Sequence, residues 1–448
     1  MAAAELRDDR RAHGVRNDPR TLVIKHLATQ SRRFPDLDIA SFETPSLSAR
    51  DAGLAYAIDQ AVARRWLTLV TVIEHFLKQP WEDLGPNVRA ALLAGAAQLL
   101  LLDRIPDHAA INESVEYTKR GPHRWAPGLV NAVLRRVAAL RLEARETFDP
   151  ARRDELPRGE GGAWRLTTPV FSEDATIRLA EQTSHAYETL DAWAGRLGPE
   201  VMRRLALHDL VHPPVIVTGA GATGAPHAEP GFFVFDGDHA ALATMLAQHP
   251  GVRVQDPGSA RPVAATASLR PTLIVDACAG KGTKTRQLAA VHPDTRIIAT
   301  DRDPRRAAVL AESVKSLPLV EAIPYRHLEQ WRGKADLLLL DVPCSNSGVL
   351  ARRVEAKYRL RPENIESLRD TQRQIIADTL PLLAPNGHML YATCSIDPIE
   401  NESQAEWVTK WHPFRVVSSE LALPTGQPGT PETAYRDGGY HALLNASA

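Results

Sequence analysis

The sequence predicts a protein whose carboxyl-terminal half is an open, mostly parallel α/β sheet with helices on both faces. An all-helical bundle and a small α+β connector precede it. Three observations carry this reading. The apolar runs Thr272–Cys278, Leu337–Asp341 and His388–Cys394 read as buried strands, because a parallel strand is covered on both faces. Each run delivers a carboxylate or a thiol at or just beyond its carboxyl end, where such sheets bind ligands, and all 3 cysteines stand there. Between residues 46 and 142, by contrast, apolar residues recur at helical spacing through segments rich in Ala and Leu.

At 448 residues the chain exceeds one ordinary core, so two or three domains are expected. Hydrophobic residues at 44% and charged residues at 24% are those of a soluble globular protein. No run of roughly eighteen apolar residues is present to span a bilayer, and the start, Met1-Ala-Ala-Ala-Glu-Leu-Arg-Asp-Asp-Arg, lacks a signal peptide's apolar centre. The cytoplasm is the expected compartment, with no membrane partner and a monomeric chain. Three cysteines without a Cys-x-x-Cys pair argue against a disulfide framework and a structural zinc, so no metal is expected. The net charge of -1 excludes a globally basic nucleic-acid binder, but local basic patches can still contact phosphate.

In chain order, residues 1–44 are rich in Arg and Asp and read as a partly disordered arm with a short helical pattern from Thr21. Residues 45–145 form the helical domain, with helices expected over Asp51–Ala63, Leu67–Leu77, Pro86–Leu102, Ala109–Lys119 and Gly128–Leu142. Prolines sit near their junctions, where proline belongs. Residues 146–170, with Leu-Pro-Arg-Gly-Glu-Gly-Gly, have a linker's composition. Residues 171–262 read as the connector, with a helical stretch from Glu173 to Asp209 and an extended Val215–Thr218. Residues 263–448 form the catalytic domain.

The chemistry begins after Asp276, where Ala-Cys-Ala-Gly-Lys-Gly-Thr-Lys-Thr reads as a strand end, a glycine turn and the start of a helix. Gly280 and Gly282 let the backbone approach a cofactor, with helix amides at its edge. The turn is not a Walker P-loop, and Thr285 stands where a dinucleotide fingerprint would have its third glycine. Asp301 ends the next apolar run about twenty residues beyond the glycines, the distance of a carboxylate that takes ribose hydroxyls. A nucleoside-containing cofactor follows, either a nicotinamide dinucleotide or S-adenosylmethionine (SAM).

The cysteine-bearing strands decide between them. Cytosine carbon 5 is a poor nucleophile, so its methylation calls for a thiolate to add at carbon 6 and make carbon 5 enamine-like. A base must afterwards remove the carbon 5 proton. Asp341-Val-Pro-Cys344 and Thr393-Cys394-Ser395 supply two thiols and a carboxylate suited to those steps.

The motifs Asp341-Val-Pro-Cys-Ser-Asn-Ser-Gly348, Tyr391-Ala-Thr-Cys-Ser-Ile-Asp-Pro-Ile-Glu-Asn401 and Asp437-Gly-Gly-Tyr-His-Ala-Leu-Leu444, with the glycine turn, resemble the NOL1/NOP2/Sun family of RNA 5-methylcytosine methyltransferases. Gln98–Glu116 and Gly128–Arg136 resemble the NusB-type RNA-binding helical domain, which occurs fused to the front of bacterial members. The resemblance implies a Rossmann-like class I SAM-dependent methyltransferase domain, with RNA, most specifically small-subunit (16S) ribosomal RNA, as partner. It further implies Cys394 as the attacking thiol, Cys344 as the group that assists release, and Asp341 as the holder of the cytosine, with Lys284 beside them. Cys278, Ala279, Gly280, Lys281, Gly282, Thr283 and Lys284 are the implied SAM loop, joined by Asp301, Asp341 and His327. Three departures stand out: the turn reads Gly280-Lys-Gly-Thr-Lys-Thr285 where the family has Ala-Pro-Gly-Gly-Lys-Thr, His327 takes the place of an adenine-side aspartate, and Val215–Thr218 lacks the family's Arg and Asn. The competing reading is an RNA-binding ribosome-assembly factor whose site has decayed.

Overall fold

The structure is a computed structural model that describes residues 18–38, 42–121 and 124–446. It contains two units, one reaching Leu210 and including Lys357–Arg359, the other running from Val211 to Ala356 and onward from Leu360.

The first unit is built on helices α1 (Pro19–Arg33), α2 (Ala49–Glu74), α3 (Pro86–Leu101), α4 (Asp107–Lys119) and α5 (Ala126–Ala138). Helix α3 is apolar on every side and buried along most of its length, as a central helix must be. Val23, Ile24 and Leu27 of α1 join the same core. The arm expected over 1–44 is therefore helical from Pro19, with the Asp18 carboxylate accepting from the Thr21 amide (2.9 Å) as its cap. Its apolar stripe outweighs its charged composition, and residues 1–17 lie outside the described residues.

The expected break near residue 65 is a kink within α2, where Arg65 leaves helical geometry (φ -124°, ψ 24°). The displaced backbone groups find tertiary partners. The Trp66 amide donates to the Tyr358 hydroxyl (3.1 Å), which donates to the Ala63 carbonyl (2.7 Å), and the Leu67 amide donates to Ser184 Oγ (2.9 Å). Lys357 Nζ donates to the carbonyls of Arg64 (3.0 Å) and Thr183 (3.1 Å).

The stretch 146–170 is not a bare linker. Its strands β2 (Glu155–Pro157) and β3 (Ala163–Leu166) pair antiparallel with β1 (Arg141–Arg145) in the order β1-β3-β2. Trp164 is flanked by the guanidiniums of Arg141 (4.4 Å) and Arg158 (4.8 Å), and Leu156 and Leu166 are buried. Strands this short leave no periodic signal, and β1 also ends α5 before Leu142. The helical stretch beyond Glu173 is three helices, α6 (Ala175–Thr183), α7 (Tyr187–Leu197) and α8 (Pro199–His208), broken by positive φ at Ser184 (62°) and Gly198 (85°). They belong to the first unit, so the structure divides the expected 171–262 connector at Leu210.

In the second unit β4 (Val215–Thr218), β5 (Ala225–Pro226), β6 (Phe232–Phe235) and β7 (Arg253–Val254) form a small antiparallel sheet flanked by α9 (His239–Gln248). The larger sheet holds β8 (Leu273–Asp276), β9 (Arg296–Ala299), β10 (Val320–Ala322), β11 (Ala335–Asp341), β12 (Leu383–Thr393), β13 (Phe414–Ala422) and β14 (Gly439–Ala446), in the order β10-β9-β8-β11-β12-β14-β13. The first five are parallel, and β14 runs antiparallel to both neighbours. Val275, Leu338, Leu340 and Met389 bury on one face, and Ile274, Leu337, Leu339 and Leu390 on the other, which is why these strands read as unbroken apolar runs. Helices α10 (Pro257–Ala264), α11 (Thr283–Val291), α12 (Pro304–Val314), α13 (Pro362–Thr379) and α14 (Glu402–Trp411) complete the unit. Strand order reverses between β8 and β11, the switch point where open sheets bind ligands.

Candidate active site

Strands β11 and β12 pair in a register that sets Asp341 opposite Ala392, so the residues following each strand leave the sheet side by side. Cys344 Sγ and Cys394 Sγ lie 2.9 Å apart, and the Cys394 thiol also donates to Asn346 Oδ1 (3.3 Å). The Cys344 thiol is pushed well above its ordinary pKa, first by its hydrogen bond with Cys394 and then by burial. Gly348 makes the close approach possible. Its amide donates to the Cys394 carbonyl (2.9 Å), its carbonyl accepts from the Gly438 amide (2.7 Å), and a Cβ there would lie 2.8 Å from the Gly438 carbonyl carbon.

Beneath the thiols, the buried Glu400 carboxylate joins the two loops. It accepts from the Ser345 amide (2.9 Å), Ser345 Oγ (2.5 Å), Ser395 Oγ (2.6 Å) and Gln372 Nε2 (3.0 Å). Burial raises its pKa despite these donors. Asn401, also buried, accepts from Thr393 Oγ1 (2.6 Å) and donates to the Ser395 carbonyl (2.9 Å), which supports the end of β12 from below.

Lys284 Nζ donates to Asp341 Oδ2 (2.8 Å) and reaches Ser259 Oγ (3.4 Å). Burial works against its charge, but the Asp341 carboxylate outweighs that and holds the ammonium above its ordinary pKa. On the glycine loop, Asp301 accepts from the Gly280 amide (2.9 Å) and the Asp303 amide (2.8 Å), with Arg306 Nε 3.4 Å away. Thr285, in the third-glycine position, donates to the buried Asp276 (2.7 Å), whose pKa burial pushes up to about 7. Burial and then the Asp276 charge push the Cys278 thiol up, so it packs as an un-ionised group.

Cys278, Gly280, Lys284, Asp301, Asp341, Cys344 and Cys394 line one cavity of about 610 Å³, within the ~300–1,000 Å³ of small-molecule sites. Ala279, Lys281 and Thr283 line a second cavity of about 490 Å³ instead. Gly282 borders neither; its φ of 92° and a would-be Cβ 2.5 Å from Ser313 Oγ show that it packs against α12. The expectation for His327 needs correction. This side chain is exposed, accepts from Arg326 Nε (3.3 Å) and stands off both cavities, while Tyr325 forms the wall. The 3-10 geometry of Tyr325–Trp331 aims the two residues differently. Sequence reasoning missed Tyr325, Arg352 and Asp437 on the cavity, and the role of Glu400 under it. The Asp437 and Glu400 motifs were visible, but nothing local disclosed which way these carboxylates turn.

Residues 267–443 match the family described as 16S rRNA methyltransferase RsmB/F, and residues 20–139 match the NusB family. The chain is 30% identical over 413 residues to ribosomal RNA small subunit methyltransferase B of Vibrio cholerae, covering 88% of this chain and 90% of that one. The chain belongs to the ribosomal RNA small subunit methyltransferase B family. The Xanthomonas campestris member is also 30% identical, over 80% of this chain and 79% of its own. The solved structure of PH0851 covers 95% of this chain and 98% of its own with a TM-score of 0.68 at 18% identity, a likeness of fold. This family member is thus a ribosomal RNA methyltransferase with SAM as its methyl donor. The residues present fit that cofactor: a carboxylate at the second strand's end faces a glycine amide, and a Cβ at Gly280 would meet nothing within 4 Å. Among the described residues no helix is long and apolar enough to cross a membrane, and no His, Cys, Asp or Glu group could hold a metal.

Proposed function

We propose that this protein methylates carbon 5 of a cytosine in small-subunit ribosomal RNA, acting in the cytoplasm as a single chain, with Cys394 as the attacking thiol. The observation that carries the reading is the pair of thiols 2.9 Å apart beside the Lys284–Asp341 ion pair.

Cys394 gives up its thiol proton to solvent and, as thiolate, forms a bond to carbon 6, and the displaced electron pair spreads from carbon 5 over the ring. Asp341 holds the base, and Lys284, kept cationic by Asp341, stabilises the charge that develops. The bound cofactor supplies the methyl group as the electrophile for carbon 5. Cys344, its own thiol proton released to solvent, then takes the carbon 5 proton as a thiolate. The pair from that C–H bond restores the carbon 5–carbon 6 double bond as the carbon 6–sulfur bond breaks and its electron pair returns to Cys394. The hydrogen bond and charge of Cys394 are among the causes that hold the Cys344 proton. Bond formation by Cys394 removes that charge, which eases loss of the Cys344 proton to solvent and leaves a thiolate able to act as base in the later step.

The test is a denaturing gel of each variant with substrate RNA and SAM, beside bisulfite sequencing of the product. Cys394→Ala should give no methylation and no adduct while still binding SAM. Cys344→Ala should trap protein on RNA, and the double variant should not. An adduct that survives Cys394→Ala and vanishes with Cys344→Ala would reverse the assignment, and wild-type product without 5-methylcytosine would refute the cytosine target.

A further inference from the structure

The second cavity, about 490 Å³, adjoins the catalytic one through walls they share at Gly280, Lys284, Asp341 and Arg353. Its charges decide what it can hold. Lys284 is bound to Asp341. Arg352 donates to Asp437 (2.6 Å) and Asp256 (3.2 Å), and Asp437 also accepts from the Tyr435 hydroxyl (2.6 Å). Asp256, pushed up to about 7 by burial and then by the Asp437 charge, carries only part of a charge at neutral pH.

Two cations remain. Lys281, from the glycine turn, and Arg353, from the turn that follows Gly348, are both exposed, and neither side chain has an ion-pair or hydrogen-bond partner among the described residues. Lys284 cancels Asp341 and Arg352 cancels Asp437, so these two face only the partial charge of Asp256. The cavity is left net positive beside a site that takes a nucleotide base.

We propose that this side cavity is a phosphodiester subsite, in which Lys281 and Arg353 hold a backbone phosphate of the RNA next to the target nucleotide. The inference rests on the RNA reading above and deepens it. An arginine fork suits two phosphate oxygens, a lysine adds a point charge, and their placement on different segments clasps the strand between them. Lys281 then serves the RNA, not the cofactor. Positioning the phosphate fixes the register of the chain, while the neighbouring cavity receives the base.

The experiment uses the full chain, Lys281→Ala, Arg353→Ala and the double variant, with a fluorescent single-stranded RNA oligonucleotide containing cytidine and with SAM by calorimetry. Each single change should weaken RNA binding and reduce the steepness of its salt dependence by about 0.7 to 1 per cation. In methylation assays KM for RNA should rise more than kcat falls, Arg353→Lys should recover part of the binding, and SAM affinity should stay at the wild-type value. A double variant with wild-type RNA affinity and salt slope would overturn the proposal, as would a loss of SAM affinity with RNA binding intact. A wild-type enzyme that binds RNA but yields no 5-methylcytosine would instead count against the cytosine reading and leave the salt slopes to judge the subsite.

Discussion

Glu400 should act as the positioning residue for both thiols, and its substitutions separate shape from charge. Its Oε1 accepts from the Ser345 amide and Gln372 Nε2, and its Oε2 from the hydroxyls of Ser345 and Ser395. In Glu400→Ala the hydroxyls can turn to one another, since Ser345, Ser347 and Ser395 Oγ already lie 3.0 to 3.2 Å apart. The Ser345 amide cannot turn, and Gln372 Nε2 keeps only the Pro343 carbonyl (3.0 Å) as an acceptor. One or two stranded buried donors at ~1–3 kcal/mol each give an expected loss of about 1 to 6 kcal/mol. Glu400→Gln keeps an oxygen at Oε1 and sets an amino group where hydroxyls can turn to accept, so about 1 kcal/mol is expected. Because Ser345 follows Cys344 and Ser395 follows Cys394, a shift of ~1 Å in either loop should lower methylation by about a hundredfold, with SAM affinity kept. Denaturant unfolding and single-turnover methylation of both variants measure these quantities. A Glu400→Ala protein within ~0.5 kcal/mol of wild type, or with undiminished turnover, would refute the reasoning.

Asp301→Ala removes the carboxylate that faces the glycine loop, and calorimetry should show SAM binding weaker by about 1 to 3 kcal/mol; unchanged affinity would remove Asp301 from the cofactor site. Lys357 is buried in the first unit and its pKa is lowered to about 7 from 10.5, chiefly by burial. Between those values the folded chain binds fewer protons here than the unfolded chain, so this lysine makes stability rise with pH, by at most ~1.4 kcal/mol per unit. Below about 7 the cost of its buried charge is fully present. Lys357→Met should flatten the rise, and denaturant midpoints at several pH values that climb as steeply in the variant as in the wild type would contradict the sign.

Much of the catalytic half was legible because a parallel strand buried on both faces must be continuously apolar, and its polar residues then fall at the ends. Asp276, Asp301, Asp341 and the three cysteines could be placed by that rule alone, together with the fold class. The NusB-like bundle was legible for a similar reason, since helical spacing in an Ala- and Leu-rich chain has few other solutions. Tertiary structure alone decided the partners. Lys284 finds Asp341 57 residues away, Glu400 finds Ser345 55 residues away, and Arg352 finds Asp256 and Asp437 across 96 and 85 residues. Glu400 read as the start of a helix and proved to be the buried hub beneath both thiols, while His327 read as a cofactor contact and turned to solvent. A carboxylate looks alike in sequence whether it faces water or four buried donors. Local pattern sets which residues reach a strand's end, but register and packing between distant segments set what each of them meets there.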